Sequence, residues 1–234
     1  MKLNRPYNFQ RPMDVTPKTW FRITNLSNDT SEIAIYDEIG MWGVTAADFV
    51  DELNGIKAKN ITLRINSPGG DVFDGLAMYS RLRSHSATVN TMVDGLAASA
   101  ASFIAMAGDT VTMSEGSVMM IHEASGVCMG ASSDMRDMSD LLDKMSANIA
   151  DIYARRSGRT ADEHRTAMKV ETWYTDQEAV KAGLADSVAG SEPTNKLPDV
   201  VKMTAPGAPS WDDIFKSVNL DEIADALKGV KTDD

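Results

Sequence analysis

Apolar and polar residues alternate through Ile61-Thr62-Leu63-Arg64-Ile65, a period of two that predicts a half-buried strand. Trp20–Thr24, Glu32–Tyr36, Thr88–Val93, Val111–Met113 and Val118–His122 read as further strands, and Leu184–Val188 begins a last one. Between them the period changes to three and four. Phe73, Leu76, Tyr79 and Leu82 line one side of a helix over Val72–Arg83. Thr45–Leu53 is a helix that Thr45 can cap, and Ala97–Ala107 reads as a helix of small residues. The longest helical pattern is Ser132–Arg156, with Met135, Met138, Leu141, Leu142, Met145, Ile149 and Ile152 on its stripe and Gly158 as its stop. At 1.5 Å per residue it spans about 37 Å, long enough for part of it to project toward another subunit. Thr160–Lys169 carries Thr160 and Glu163 at capping-box spacing, and Glu178–Ala182 is a short helix ending at Gly183. Strand and helix alternate across most of this stretch, which predicts an α/β layer fold.

Outside that stretch the pattern fades. Residues 1–18 are polar and broken by Pro6, Pro12 and Pro17, and form an N-terminal arm. From about residue 191, Pro193, Pro198, Pro206 and Pro209 mark a linker. A helical stripe through Ile214, Phe215, Val218, Ile223 and Leu227 follows it, as a docking peptide or an arm packed on the main body. The expected organisation is an arm (1–18), one main domain (19–190) and a C-terminal tail (191–234).

With 234 residues, 43% of them hydrophobic, one sizeable core is affordable. A net charge of −11 argues against a nucleic-acid surface. No apolar run approaches the roughly 20 residues that span a bilayer, so no membrane partner is expected. The single cysteine, Cys128, cannot form an internal disulfide, which suits a reducing cytoplasm. It reads as a packed or incidental thiol. The 15 methionines fill a core or an adaptable subunit contact. Neither a histidine or cysteine pair at metal spacing nor a phosphate-binding glycine loop occurs, so no metal and no cofactor are expected.

Chemistry concentrates in three places. Directly behind the strand at Ile65 comes Asn66-Ser67-Pro68-Gly69-Gly70, a rigid corner that can aim backbone N–H groups at a substrate. Asp94-Gly95-Leu96-Ala97-Ala98-Ser99 brings a serine to a turn of small residues before a helix. There Ser99 is presented rather than buried, and the Ala100 N–H is free to bind an oxyanion. A helix of small residues packed tightly on a sheet fits the same segment. Ser102, a turn later, is placed to bond within the helix. A serine nucleophile needs a base. His85 lies in a polar link and His164 in a charged helix, both expected at the surface. That leaves His122, at the end of an apolar strand, as base or as a satisfied structural histidine. Glu171, before Trp173-Tyr174, is a candidate orienting acid or a solvated loop acid. Asp176 is the alternative acid, but Thr175-Asp176 before Gln177-Glu178 reads more as a helix cap.

Together these segments resemble the Clp-type serine peptidase family. The matching pieces are Ile65-Asn66-Ser67-Pro68-Gly69-Gly70, Gly95-Leu96-Ala97-Ala98-Ser99, Met120-Ile121-His122 and Glu178-Ala179-Val180-Lys181-Ala182-Gly183-Leu184-Ala185-Asp186, in the family's order and close to its spacing. The resemblance covers roughly residues 20–190. It implies a crotonase-like layered α/β domain with a projecting helix, and a homo-oligomer of rings or stacked rings. It implies Ser99 as nucleophile and His122 as general base, with the N–H groups of Gly70 and Ala100 as oxyanion hole. Substrate would lie as an added strand beside Gly69-Gly70. Counting back from Glu178, the acid falls on Glu171, where the family's main branch has aspartate. Glu123 likewise stands where glutamine is common.

The two termini are unlike the housekeeping enzyme, and Glu171-Thr172-Trp173 is more similar to the phage and prophage branch. That branch implies maturation of viral heads in the bacterial host cytoplasm, with a capsid or scaffold protein as substrate. Two alternatives remain: a housekeeping-type proteolytic subunit served by an ATP-dependent unfoldase, and a catalytically degenerate assembly module of the same fold.

Overall fold

The computed structural model describes residues 21–27 and 29–190. The expected N-terminal arm and the C-terminal tail lie outside them. The chain divides into two units, Met1–Glu192 and Pro193–Asp234, and every described residue falls in the first.

Eight strands form one mostly parallel sheet. β1 (Phe21–Ser27) pairs antiparallel with β2 (Thr30–Ile35). β2, β3 (Asn60–Ser67), β4 (Thr88–Ala98), β5 (Thr110–Ser114) and β8 (Ser187–Ala189) then run parallel in that order. β6 (Val118–Ile121) pairs parallel with the far end of β4 and antiparallel with β7 (Thr172–Thr175). Six helices complete the α/β fold: α1 (Ala46–Gly55), α2 (Val72–Arg83), α3 (Ala100–Ala105), α4 (Ser132–Ser157), α5 (Ala161–Lys169) and α6 (Asp176–Lys181).

The alternation at Ile61–Ile65 has the expected consequence. Ile61, Leu63 and Ile65 are fully buried, while Thr62 and Arg64 are partly exposed. In register they join Ile35 of β2 and Val93 of β4 to Phe49 and Leu53 of α1 and Met78 and Leu82 of α2 in one core. Helix starts follow side-chain chemistry. Thr45 Oγ1 accepts the Asp48 N–H at the start of α1, and Asp71 Oδ1 accepts the Phe73 and Asp74 N–H groups at the start of α2. Thr160 and Glu163 form the expected capping box of α5.

Four expectations change. First, β4 does not end at Val93 but runs on to Ala98, and α3 is correspondingly short. Ala97 and Ala98 favour helix locally, but here they are buried with ladder partners: β3 on one side of Ala97, β6 on the other. The strand changes neighbour at Asp94-Gly95, from β5 at Asn90–Val93 to β6 at Leu96–Ala98. Asp94 is gripped there by Arg64 Nε at 2.9 Å. Second, β7 exists where no strand was expected; antiparallel pairing with β6 creates it. Third, α6 begins at Asp176 rather than Glu178; of the expected cap pair Thr175-Asp176 it is Thr175 that caps, boxed with Glu178, while Asp176 Oδ2 accepts the Gly116 N–H at 2.8 Å. Fourth, α4 carries two different faces. Its buried residues begin at Ser146, whereas Met135 and Leu141 earlier on the stripe are 43% and 37% exposed.

Candidate active site

β3, β4 and β6 end beside one another, and the three segments singled out in the sequence meet at those ends. Ser99 follows β4 directly and adopts φ 53°, ψ −123°, one of two non-glycine residues with positive φ among the described residues. Its N–H donates to Met120 O of β6 at 3.0 Å. His122 follows β6 by one residue, and its Nε2 lies 2.7 Å from Ser99 Oγ. That distance is a hydrogen bond between a hydroxyl and an imidazole, the geometry a base needs to take the serine proton.

The Pro-Gly-Gly corner packs against this pair. Gly69 (φ 90°) abuts the Ser99–Ala100 peptide: a Cβ there would sit 2.5 Å from Ala98 O and 2.7 Å from Ala100 N. Gly70 (φ 147°) bridges to Ile39, and a Cβ on it would lie 2.0 Å from Ile39 O. Both positions therefore require glycine. Ile39 N–H donates to Gly69 O and Asp71 N–H to Ile39 O, each at 2.8 Å. In such a parallel bridge the N–H of the middle residue, Gly70, points away from Ile39. Ala100 supplies a second N–H as the first residue of α3. A cavity of about 220 Å³ opens over these groups, walled by Val72, Phe73, Phe103, Met138, Leu141, Met145 and Ile149 among others. Phe103 packs under α2, close enough that a Cβ on Gly75 would stand 2.7 Å from its ring. This contact fixes the start of α3 next to the corner.

Glu171 is placed less firmly. The β6–β7 ladder ends with Ile121 paired to Thr172, and His122 and Glu171 are the next residues beyond it on the two strands. Glu171 is nevertheless exposed, with φ 49°, and its Oε1 accepts Trp173 Nε1–H at 3.2 Å. Among the described residues no hydrogen bond joins its carboxylate to His122. Glu123, next to the histidine, bonds Arg165 Nε at 2.6 Å. Arg165 also bonds Asp143 Oδ1 at 2.7 Å and Asp143 O at 3.0 Å. This cluster ties the segment after His122 to α4 and α5.

The other two histidines stand apart from the site. His85 is half-buried, and its Nδ1 accepts the Ala87 N–H at 3.1 Å. His164 is not the surface residue its charged neighbours suggested. It is 3% exposed, 2.6 Å from Ser157 Oγ, with its ring centroid 5.7 Å from that of Tyr153. Burial lowers its pKa below the ordinary histidine value. Cys128 is half-buried, with Sγ 3.6 Å from Asp134 O. Ser102 bonds within its own turn as expected. It also reaches Tyr153 OH at 2.7 Å, a partner that the stripe of α4 did not single out.

The fold and the paired hydroxyl and imidazole define a class: an α/β protein whose β-strands end at a hydrolase-type cleft. The family model for Clp protease matches residues 17–192, and the chain belongs to that family, one of peptidases. It is similar to the ATP-dependent Clp protease proteolytic subunit of Pleurastrum terricola, 34% identical over 137 residues covering 58% of this chain and 70% of the relative. The protein of that name from Bacteroides fragilis is 35% identical over 132 residues, 56% of this chain and 64% of the relative. An ATP-dependent Clp protease proteolytic subunit 2 from Synechococcus sp. is 34% identical over 141 residues, 59% and 72%. Among the described residues no helix is long and apolar enough to cross a membrane.

Proposed function

We propose that this protein is a serine endopeptidase in which Ser99 is the nucleophile and His122 the general base. The observation that carries the reading is the 2.7 Å contact between Ser99 Oγ and His122 Nε2, beside two backbone N–H groups. Ser99 Oγ attacks the scissile carbonyl as its proton passes to His122. The developing oxyanion is received by the Gly70 and Ala100 N–H groups, and each such donor is worth about 2.7–4 kcal/mol in the transition state. His122 then gives the proton to the leaving amine, and water releases the acyl group by the same path in reverse. Substrate lies extended beside Gly69-Gly70 as an added strand. Glu171 is the orienting acid, for which its carboxylate leaves Trp173 and turns to His122 Nδ1.

The physiological substrate in this reading is a phage capsid or scaffold protein, supported by the likeness of Glu171-Thr172-Trp173 to that branch. Co-expression of Ser99→Ala with the capsid and scaffold proteins is expected to leave particles assembled but unprocessed. Unchanged processing by the mutant removes the reading. One observation favours a second one: the relatives are named as ATP-dependent proteolytic subunits. In that case the protein is an oligomeric subunit that degrades unfolded protein only when an ATP-dependent unfoldase is supplied.

A further inference from the structure

The Ser99 backbone lies in a region that costs an L-residue on the order of 1–3 kcal/mol and persists only where its surroundings hold it. On the N-terminal side the hold is the bond to Met120 O at 3.0 Å. On the C-terminal side the Ser99 carbonyl accepts two bonds from one residue, Ser102 N–H at 3.0 Å and Ser102 Oγ–H at 2.5 Å. A serine hydroxyl has one proton, and here it is given to the Ser99 carbonyl. At the 2.7 Å contact between Ser102 and Tyr153, the tyrosine must therefore donate and Ser102 Oγ accept. The result is a directed chain: Tyr153 O–H to Ser102 O–H to Ser99 C=O. Ser102 is 0% and Tyr153 1% exposed, so water does not compete for these groups. Burial pushes the phenol pKa up, and the donor keeps its proton across the working pH range.

The Ser99 carbonyl and the Ala100 N–H belong to one planar peptide and point in opposite directions. Whatever fixes the oxygen also aims the N–H. We propose that Tyr153 and Ser102 are positioning residues that hold the Ser99–Ala100 peptide with its N–H turned toward the oxyanion. The inference rests on the reading of Ser99 as nucleophile. It gives the buried end of α4 a part in the reaction without contact with the reacting atoms. Because each bond in such a chain polarises the next, loss of the terminal donor weakens the whole line.

A fluorophosphonate probe tests this. In its reaction a bond forms between Ser99 Oγ and phosphorus, the P–F bond breaks and fluoride leaves. The serine proton passes to His122, and the phosphoryl oxygen occupies the oxyanion position. The labelling rate at saturation thus reports the aim of the N–H groups, while the half-saturating concentration reports the pocket. Tyr153→Phe keeps the ring and removes only the donor. It is expected to lower the saturating rate about 3- to 10-fold, the size of one buried hydrogen bond, with half-saturation unchanged. Ser102→Ala is expected to lose at least as much. Adding Tyr153→Phe to Ser102→Ala is expected to cost nothing more, since the middle link is already gone. A wild-type saturating rate in Tyr153→Phe, or losses that multiply, overturns the proposal. If Tyr153→Phe does not fold, a wild-type saturating rate in Ser102→Ala overturns it instead. Should the wild-type protein itself fail to label at Ser99, the peptidase reading falls first. If the wild type labels and Tyr153→Phe labels equally fast, only the positioning role falls.

Discussion

Two residues of this molecule share a left-handed backbone and little else. Ser99 (φ 53°) is gripped by Met120 O on one side and by Ser102 on the other, between strands with ladder partners. Glu171 (φ 49°) stands exposed at the end of β7, with its carboxylate on the indole of a half-exposed tryptophan. A strained conformation held from both sides is pre-organised, and such strain gathers where chemistry is done. A strained conformation at an open strand end is easily rearranged. Ser99 and His122 are therefore built into the sheet, whereas Glu171 is attached to its margin.

The largest effect expected from this contrast is at the pinned pair. His122→Ala should lower peptide hydrolysis on the order of 10⁴- to 10⁶-fold, the range for losing the base of such a site. Steady-state hydrolysis of a fluorogenic peptide measures it, and a loss of a few fold would mean that the 2.7 Å contact is structural only. Next comes the margin. Amidating an engaged triad acid costs on the order of 10⁴-fold in kcat. Because Glu171 must first leave Trp173, Glu171→Gln is expected to fall well short of that in the same assay. A full-sized loss would break the contrast by showing Glu171 to be as firmly engaged as Ser99.

The smallest effect concerns stability. His164 is held neutral by burial, so its folded pKa lies below the unfolded value of about 6.5. The unfolded chain then binds a proton more readily, and the contribution is intact above that value. It declines as pH falls from there through the folded pKa. Urea melts of wild type and His164→Gln should differ in their slope with pH below about 6.5 and run parallel above it. Identical slopes throughout would remove His164 as the source.

What the sequence revealed, and what it hid, follows the same division. The Pro-Gly-Gly corner, Ser99 and His122 are legible because local chemistry marks them: glycines where a Cβ has no room, a serine after small residues, a histidine ending an apolar strand. The continuation of β4 through Ala97 and Ala98 is not legible, since alanine favours helix until two neighbouring strands claim its backbone. β7 depends on pairing with β6, some fifty residues earlier in the chain. His164 looks solvated among Asp162, Glu163 and Arg165 until α5 lays it against Tyr153. The apolar stripe of α4 reads as one face but divides near Ser146. Its second half has a core to bury in, while its first half walls the cleft and remains partly exposed.

The proposed chemistry turns on Ser99 as an activated nucleophile. Incubation with a fluorophosphonate, followed by peptide mass mapping, tests it most directly. One adduct per chain is expected, on Ser99, absent from Ser99→Ala and strongly slowed in His122→Ala. No adduct on the folded wild-type protein, or an adduct that persists in Ser99→Ala, would contradict it.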